Sequence, residues 1–518
     1  MKKQFKAFVS LLLVLCFVLS LASCKEKSKS VNKTKKGKNN NNTSSYTGEV
    51  SSDTPENVSS VENEVSSKID NTPNKKEVTK SEDYSKMPHY DNNYSSVESS
   101  NSNPQNSEQD NRPVSTKKWR QDKFYLSSCW PYAYSAGSLD QKTKSIDLCK
   151  ECGLNLVELP INCSDDVLSY CDKAGINAIA GSSFFQSSAL GSTPIWNDTV
   201  VKNEIYKIYK HKSVIGYYYW DEIGKDSMNK AKNLKNNINK YDPARLAYSC
   251  LFPSYGIINW GESLGGGQWG DNSYYNYVKD YLDVVDPPVL SFDYYTFALD
   301  KSLNINIRDW YRDLGLYRKF SLEYNKPFWN YIGTDCMNDG GEFTNIAQTR
   351  VQLNIALAYG AKTISYYTTV KYLYDEKNFE KTEFFEDVKK ENKKAMAMGN
   401  FLFDKTGTEI YHYGLKNTLE NDYSEIYFLD DISKSKIIES VVASDGMIIS
   451  MFKDKNNKQY MMVVTKNLKS KSAIEITLKG NKKVSTFNTS TKKLENPTTT
   501  NMITYKFLPG EAVIFSIN

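Results

Sequence analysis

Residues 119–404 predict an α/β fold, a (β/α)8 barrel of the TIM type, and residues 405–518 predict a small antiparallel β-sandwich after it. Three observations point there. Short apolar strands alternate with helical stretches eight times, the pattern of βαβ units around a parallel sheet. The strands are nearly continuous apolar and aromatic runs, as strands covered on both faces are. A nucleotide-binding open sheet would show a Gly-rich turn after its first strand, and Cys129-Trp130-Pro131-Tyr132 stands there instead.

In chain order the strands are expected at 124–130, 154–159, 176–180, 214–220, 245–251, 289–293, 328–332 and 363–367. Helical periodicity covers 143–152, 164–174, 200–210, 227–241, 274–285, 310–324 and 345–359, and a last helix over 384–403 completes the ring. Beyond it the pattern changes to short alternating strands at 425–429, 447–452, 460–465, 473–478 and 512–517, separated by Lys, Asn and Gly turns. Those strands predict the sandwich, without catalytic residues of its own.

The chain begins Met1-Lys2-Lys3, then an apolar run over 8–21 that ends in Leu21-Ala22-Ser23-Cys24. A charged start and a short hydrophobic region are the marks of an export signal. The terminal four residues resemble the bacterial lipoprotein lipobox, which implies cleavage after residue 23 and a lipid on Cys24. The protein is then expected on the cell surface, anchored to the outer face of the cytoplasmic membrane. Residues 24–118 are rich in Ser, Asn, Lys, Glu and Thr with few large aliphatics, too polar to offset the entropy of ordering. They read as a disordered tether spanning about 50–60 Å root mean square.

A formal net charge of +5 on 518 residues, with no basic stripe in the folded part, gives no support for nucleic-acid binding. Only His89, His211 and His412 are present, and Cys149-Lys-Glu-Cys152 has no second CxxC, so neither a metal nor a cofactor is expected. Once Cys16 and Cys24 are assigned to the signal and the lipid, seven cysteines remain, and they read as buried thiols.

The chemistry is expected where the fourth strand ends. Gly216-Tyr-Tyr-Tyr-Trp220 runs into Asp221-Glu222, and α/β barrels place reactive groups at strand carboxyl ends. The alternative is that Asp221 caps the next helix. Two adjacent carboxyls beside aromatic side chains repel each other and lose solvent, which raises a pKa toward what a general acid needs.

Trp220-Asp221-Glu222, Lys326-Pro327-Phe328-Trp329 before the seventh strand, and 350–367 with Ala358-Tyr359-Gly360-Ala361 resemble the corresponding segments of clan A glycoside hydrolases, in particular family 42 β-galactosidase-like barrels. The closing 508–515 segment resembles the last sandwich strand of many such enzymes. The resemblance implies that Glu222 donates a proton to a glycosidic oxygen and that Asp221 replaces an asparagine that holds a sugar hydroxyl. It also exposes a departure, because Tyr331 stands near where the family's seventh strand carries its nucleophilic glutamate.

Four accounts follow. Asp335, beyond strand seven, reaches in from its loop. Asp293, ending strand six, serves as nucleophile at a carboxyl separation of about 5–5.5 Å or as base at about 6.5–9.5 Å. The Asp-Glu pair works as in substrate-assisted N-acetylhexosaminidases, with Asp221 orienting an acetamido group. Or the protein is a non-catalytic carbohydrate-binding lipoprotein. Glu158, ending strand two, is a further inward carboxylate that either binds substrate or pairs with Arg245 or a lysine. Aromatic residues cluster near the expected strand ends, and Trp130, Trp220, Tyr295, Trp329, Tyr331 and Tyr366 are the sugar-stacking candidates. Trp260 and Trp269 flank Glu262 in a Gly-rich segment expected as a connector or lid.

Overall fold

The computed structural model describes residues 117–132, 138–159, 163–181, 198–256, 273–297, 307–334, 343–414 and 428–518. Signal, tether and Cys24 lie outside the described residues.

Eight strands alternate with eight helices among them. The order is β1 (Tyr125–Cys129), α1 (Leu139–Glu151), β2 (Leu156–Leu159), α2 (Asp165–Ala174), β3 (Asn177–Gly181), α3 (Asp198–Ile208), β4 (Val214–Trp220) and α4 (Met228–Tyr241). It continues with β5 (Leu246–Ser249), α5 (Ser273–Val285), β6 (Leu290–Tyr294), α6 (Ile307–Glu323), β7 (Phe328–Gly333), α7 (Ile346–Tyr359), β8 (Thr363–Tyr367) and α8 (Phe385–Leu402). The strands pair in the order β5-β4-β3-β2-β1-β8-β7-β6. The seam between β5 and β6 carries a parallel bridge at Leu251 and Phe292, with Leu251 N–H donating to Ser291 O at 2.9 Å. The sheet is a nearly closed (β/α)8 barrel.

Alternation along the strands makes two cores. Leu126, Val157, Ala178, Tyr217, Phe292, Ile332 and Ile364 face the helices. Tyr125, Leu156, Ile179, Tyr218, Leu246, Tyr248, Trp329 and Tyr331 fill the interior, so the barrel has a packed centre. At Gly216 a Cβ would come within 2.8 Å of Leu246 Cβ and O, so glycine sets the close approach of β4 to β5. Local signals fix several helix ends. Ser138 with Gln141 and Asn345 with Gln348 form capping boxes, and α7 ends on Gly360 at φ 95°.

Helix α7 is buried on nearly all sides because it packs on β7, between α6 and α8, and is covered by the C-terminal sheet. That sheet comprises β9 (Thr406–Tyr413), β10 (Ile438–Ala443), β11 (Met447–Lys453), β12 (Gln459–Thr465), β13 (Ser472–Asn488), β14 (Lys493–Phe507) and β15 (Ala512–Ile517). It is antiparallel in the order β10-β13-β15-β12-β11-β9, with β14 on β13. The long β13 pairs with β10 over Ile474–Leu478 and with β15 over Val484–Thr486, wrapping the sheet around Ile449, Met461, Val463, Ile476 and Phe515. Helix α7 packs on β11 and β12, and Asn354 Nδ2 donates to Gly510 O at 2.9 Å. The fold class is thus the expected barrel followed by an antiparallel β domain. Three strands differ from expectation: β9, β10 and β14 were not read in the sequence. Of the expected strand at 425–429, residues 425–427 lie outside the described residues, and Phe428 and Leu429 are not in a strand.

Candidate active site

Strand β4 breaks its own alternation just before it ends. Its pairing with β5 slips between Tyr218 and Trp220, so Trp220 lies opposite Ser249. Tyr219 and Trp220 both join the cluster between strands and helices, while Tyr218 stays in the interior. Trp220 is therefore packed under the helices and is not a sugar platform at the mouth. After the bulge the chain turns through Glu222, which sits at φ 51°, a left-handed conformation disfavoured for a residue with a side chain. Helix α4 begins only at Met228 and takes Ser227 as N-cap, so Asp221 does not cap it.

Asp221 is exposed and Glu222 half-buried, although protein surrounds both closely enough to raise their carboxyl pKa values. Exposure together with dense surroundings is what a concave mouth produces. Tyr218 Oη donates to Asp221 Oδ1 at 3.0 Å, which opposes the effect of burial on Asp221. Burial raises Glu222 well above the usual carboxyl range, and the charges of Asp293 and Asp221 add to it.

The third acid comes from β6. Asp293 lies opposite Tyr331 of β7, is 6% exposed, and its Oδ1 has no hydrogen-bond partner. Burial first, then the charge of Asp221, pushes it up to about 8. Because Asp221 reaches water and accepts a hydrogen bond, it is the member of the trio that ionises most readily, while burial favours the protonated forms of Glu222 and Asp293. Around them, Tyr295 stacks on Tyr367 with ring centroids 5.1 Å apart, and Tyr255 meets Tyr294 edge-on at 5.1 Å. Cys129 and Cys250 belong to the same interior cluster as Tyr295, and both sense the trio's charge.

Beneath the mouth lies a different carboxyl. Glu158 is fully buried, and its two oxygens accept from Tyr331 Oη and Ser365 Oγ. Tyr331 also bonds Tyr248 Oη at 2.7 Å, and Tyr248 bonds Ser291 Oγ at 2.8 Å. Glu158 thus offers no free oxygen to a substrate, and Tyr331, in the expected nucleophile position, is turned into this network. Arg245 is not its partner. It donates to Asp242 Oδ2 at 2.6 Å and to the carbonyls of Val214, Tyr209 and His211.

Two further aromatic candidates lie away from the mouth. Trp329 is wholly buried near the amino end of β7, with Nε1 donating to Gln121 Oε1 at 2.9 Å. Tyr366 faces the helices and donates to Asn392. Trp130 is half-buried at the end of β1, with its N–H on Glu158 O at 3.1 Å, and packs against the interior cluster that includes Tyr295. Asp335, Glu262, Trp260 and Trp269 lie outside the described residues. Sequence reasoning missed Tyr218, Cys129 and Cys250. Strict alternation back from Glu222 would have put Tyr218 inside, but the bulge makes that count unsafe. Among the described residues no group of three His, Cys, Asp or Glu could hold a metal ion.

No protein-family model matches the sequence, and no curated protein does. Solved structures are similar to it in fold. A glycoside hydrolase family 5 protein from Bacteroides vulgatus is 12% identical, with TM-score 0.45, over 76% of this chain and 89% of that one. Alpha-galactosidase I from Mortierella vinacea is 12% identical, with TM-score 0.42, over 76% and 96%. The endo-beta-1,4-mannanase from Thermotoga petrophila is 11% identical, with TM-score 0.37, over 67% and 95%. Likeness this distant bears on neither substrate nor chemistry.

Proposed function

We propose that the protein is a glycoside hydrolase acting at the carboxyl end of its barrel. The observation that carries this reading is the grouping of Asp221, Glu222 and Asp293 at the ends of β4 and β6, where burial first and then the charges of Asp293 and Asp221 favour the protonated form of Glu222. A protonated carboxyl at neutral pH is what departure of a sugar alkoxide needs. Glu222 gives its proton to the glycosidic oxygen as the C–O bond breaks. Asp293 is the second carboxyl, on β6 and not on β7; once ionised it either attacks the anomeric carbon, forming an ester that water then hydrolyses, or takes a proton from the water that attacks that carbon. Asp221 holds a substrate group. Tyr295 and Tyr367 offer stacked rings for a sugar face. The finer likeness to family 42 enzymes rests on the short motifs at 220–222, 326–329 and 350–367.

The test is hydrolysis of aryl glycosides and of cell-wall and mucin oligosaccharides by the wild-type protein and by Glu222→Gln. Turnover is expected to fall by about 10²–10⁴-fold in the variant, and equal turnover removes Glu222 from the mechanism. The adjacency of Asp221 and Glu222 favours a second reading, substrate-assisted cleavage of N-acetylhexosaminides. In that case Asp293→Asn keeps full turnover and Asp221→Asn does not. Binding without hydrolysis by the wild-type protein supports the non-catalytic lectin-like reading.

We also propose that Cys24 carries the lipid that holds the enzyme at the outer face of the cytoplasmic membrane. The support is the Lys2-Lys3 start, the apolar run and Leu21-Ala22-Ser23-Cys24. Replacement by Cys24→Ser should leave an unprocessed precursor without label from radiolabelled palmitate, and unchanged labelling excludes the anchor.

A further inference from the structure

The three acids of the mouth lack the arginine partner that two buried acids elsewhere in this protein have. Asp242 is paired with Arg245 at 2.6 Å and Glu391 with Arg350 at 3.0 Å. Among the described residues, Asp221, Glu222 and Asp293 have no ion-pair partner. Tyr218 donates a hydrogen bond to Asp221, and the Tyr295 hydroxyl favours the ionised form of Asp293. Asp293 is more than nine-tenths buried and still leaves Oδ1 without a donor. A buried acceptor without a donor is costly, so the arrangement suits a ligand that brings donors with it.

The surrounding charges narrow which ligand. Those that raise Glu222 are Asp293 and Asp221, and those that raise Asp293 are Asp221 and Asp313. Of these, Asp313 has Arg312 beside it at 3.7 Å, and tyrosines and thiols such as Tyr255, Tyr367, Cys129 and Cys250 also surround the trio. After β8, Lys371 and Lys381 have acidic partners in Glu376 and Glu151. A uronate, sialate, sulfate or phosphate would meet like charge here. A neutral hydroxyl would supply a donor but leave the charge of Asp221 uncompensated. An ammonium supplies three donors and the missing charge together.

We infer that the sugar bound at this mouth carries a free amino group, so that the substrate is a glycan containing de-N-acetylated hexosamine, its ammonium seated between Asp221 and Asp293. This rests on reading the mouth as the sugar site. It also connects recognition to reaction. Asp221 is the charge that holds the proton on Asp293, and an ammonium beside Asp221 cancels that charge. The cationic sugar therefore favours the ionised form of the second carboxyl, and Glu222 remains the proton donor.

The experiment compares a glucosamine tetramer, its fully N-acetylated counterpart and a galacturonate tetramer. Binding is measured calorimetrically on full-length Glu222→Gln and Asp221→Asn, and products are analysed with the wild-type protein. Circular dichroism verifies that both variants are folded. The glucosamine tetramer is expected to bind Glu222→Gln about tenfold or more tightly than the N-acetylated one at low salt, with the preference shrinking as salt rises. Asp221→Asn should lose about tenfold in affinity for the amine, and with it the preference for the amine over the N-acetylated tetramer. Equal or tighter binding of the N-acetylated or galacturonate tetramer overturns the inference and leaves the hydrolase reading standing. Amine-selective binding without cleavage by wild type sustains the inference and removes the hydrolase reading. Binding of none of the three overturns the inference, and the hydrolase reading then stands or falls on turnover of the aryl glycosides.

Discussion

Glu158 and Asp293 are both carboxyls on inner faces of barrel strands, both closed to solvent, and the protein treats them in opposite ways. Glu158 receives a hydroxyl on each oxygen, from Tyr331 and Ser365, and is the hub of a chain that runs on through Tyr248 to Ser291. Asp293, one layer higher, keeps an oxygen without a donor and faces the charge of Asp221. Burial raises the carboxyl pKa of both. What separates them is satisfaction: a saturated buried acid braces a core, and an unsaturated one is available for chemistry.

The largest effect expected from this contrast is in the mouth, where Glu222→Gln should lower glycoside turnover about 10²–10⁴-fold while leaving the unfolding midpoint nearly unchanged. A fall in stability of the same variant would move Glu222 to the side of Glu158. Below the mouth the order reverses. Glu158→Ala strands the hydroxyls of Tyr331 and Ser365 and opens a cavity, so unfolding free energy should drop by about 3 kcal/mol in denaturant titration. Glu158→Gln, which still accepts on one side, should lose less.

Asp293→Asn is expected to stabilise increasingly as pH rises from about 4 to about 8. The folded carboxyl titrates at about 8 against an ordinary 3.8, so the native state holds this proton more tightly than the unfolded chain does. The stability this contributes is full below 3.8 and is lost as pH rises through about 8. Denaturant curves should therefore show the variant matching wild type at pH ~4 and exceeding it by about 2 kcal/mol at pH ~9. The smallest change expected is from Tyr218→Phe. Removing the hydrogen bond to Asp221 should move the titration of Asp221 upward, seen as a small shift in the acid limb of kcat/KM.

Strands buried on both faces are readable as unbroken apolar runs, which is why 214–220 and 363–367 coincide with β4 and β8. Strand β14 has no such run. It is Thr-rich, mostly exposed, contains Pro497 and is held by its backbone pairing to β13. Of the site, the acids at strand ends were legible because a carboxyl after an apolar run is chemically conspicuous. The level and facing of the aromatics were not. Trp329 points inward, as its parity requires, but at the closed amino end, and Trp220 is turned outward by a bulge that no residue type announces. Glu158 was readable as inward-facing, whereas its saturation depends on hydroxyls from β7 and β8, far away in sequence.

Infrared difference spectroscopy of wild type against Glu222→Gln at pH ~7 tests the central claim most directly, because burial with two acidic neighbours should keep Glu222 protonated there. The account predicts loss of a protonated carboxyl C=O stretch in the variant, with the carboxylate bands nearly unchanged. Loss of a carboxylate band instead would show that Glu222 is ionised and would contradict its role as proton donor.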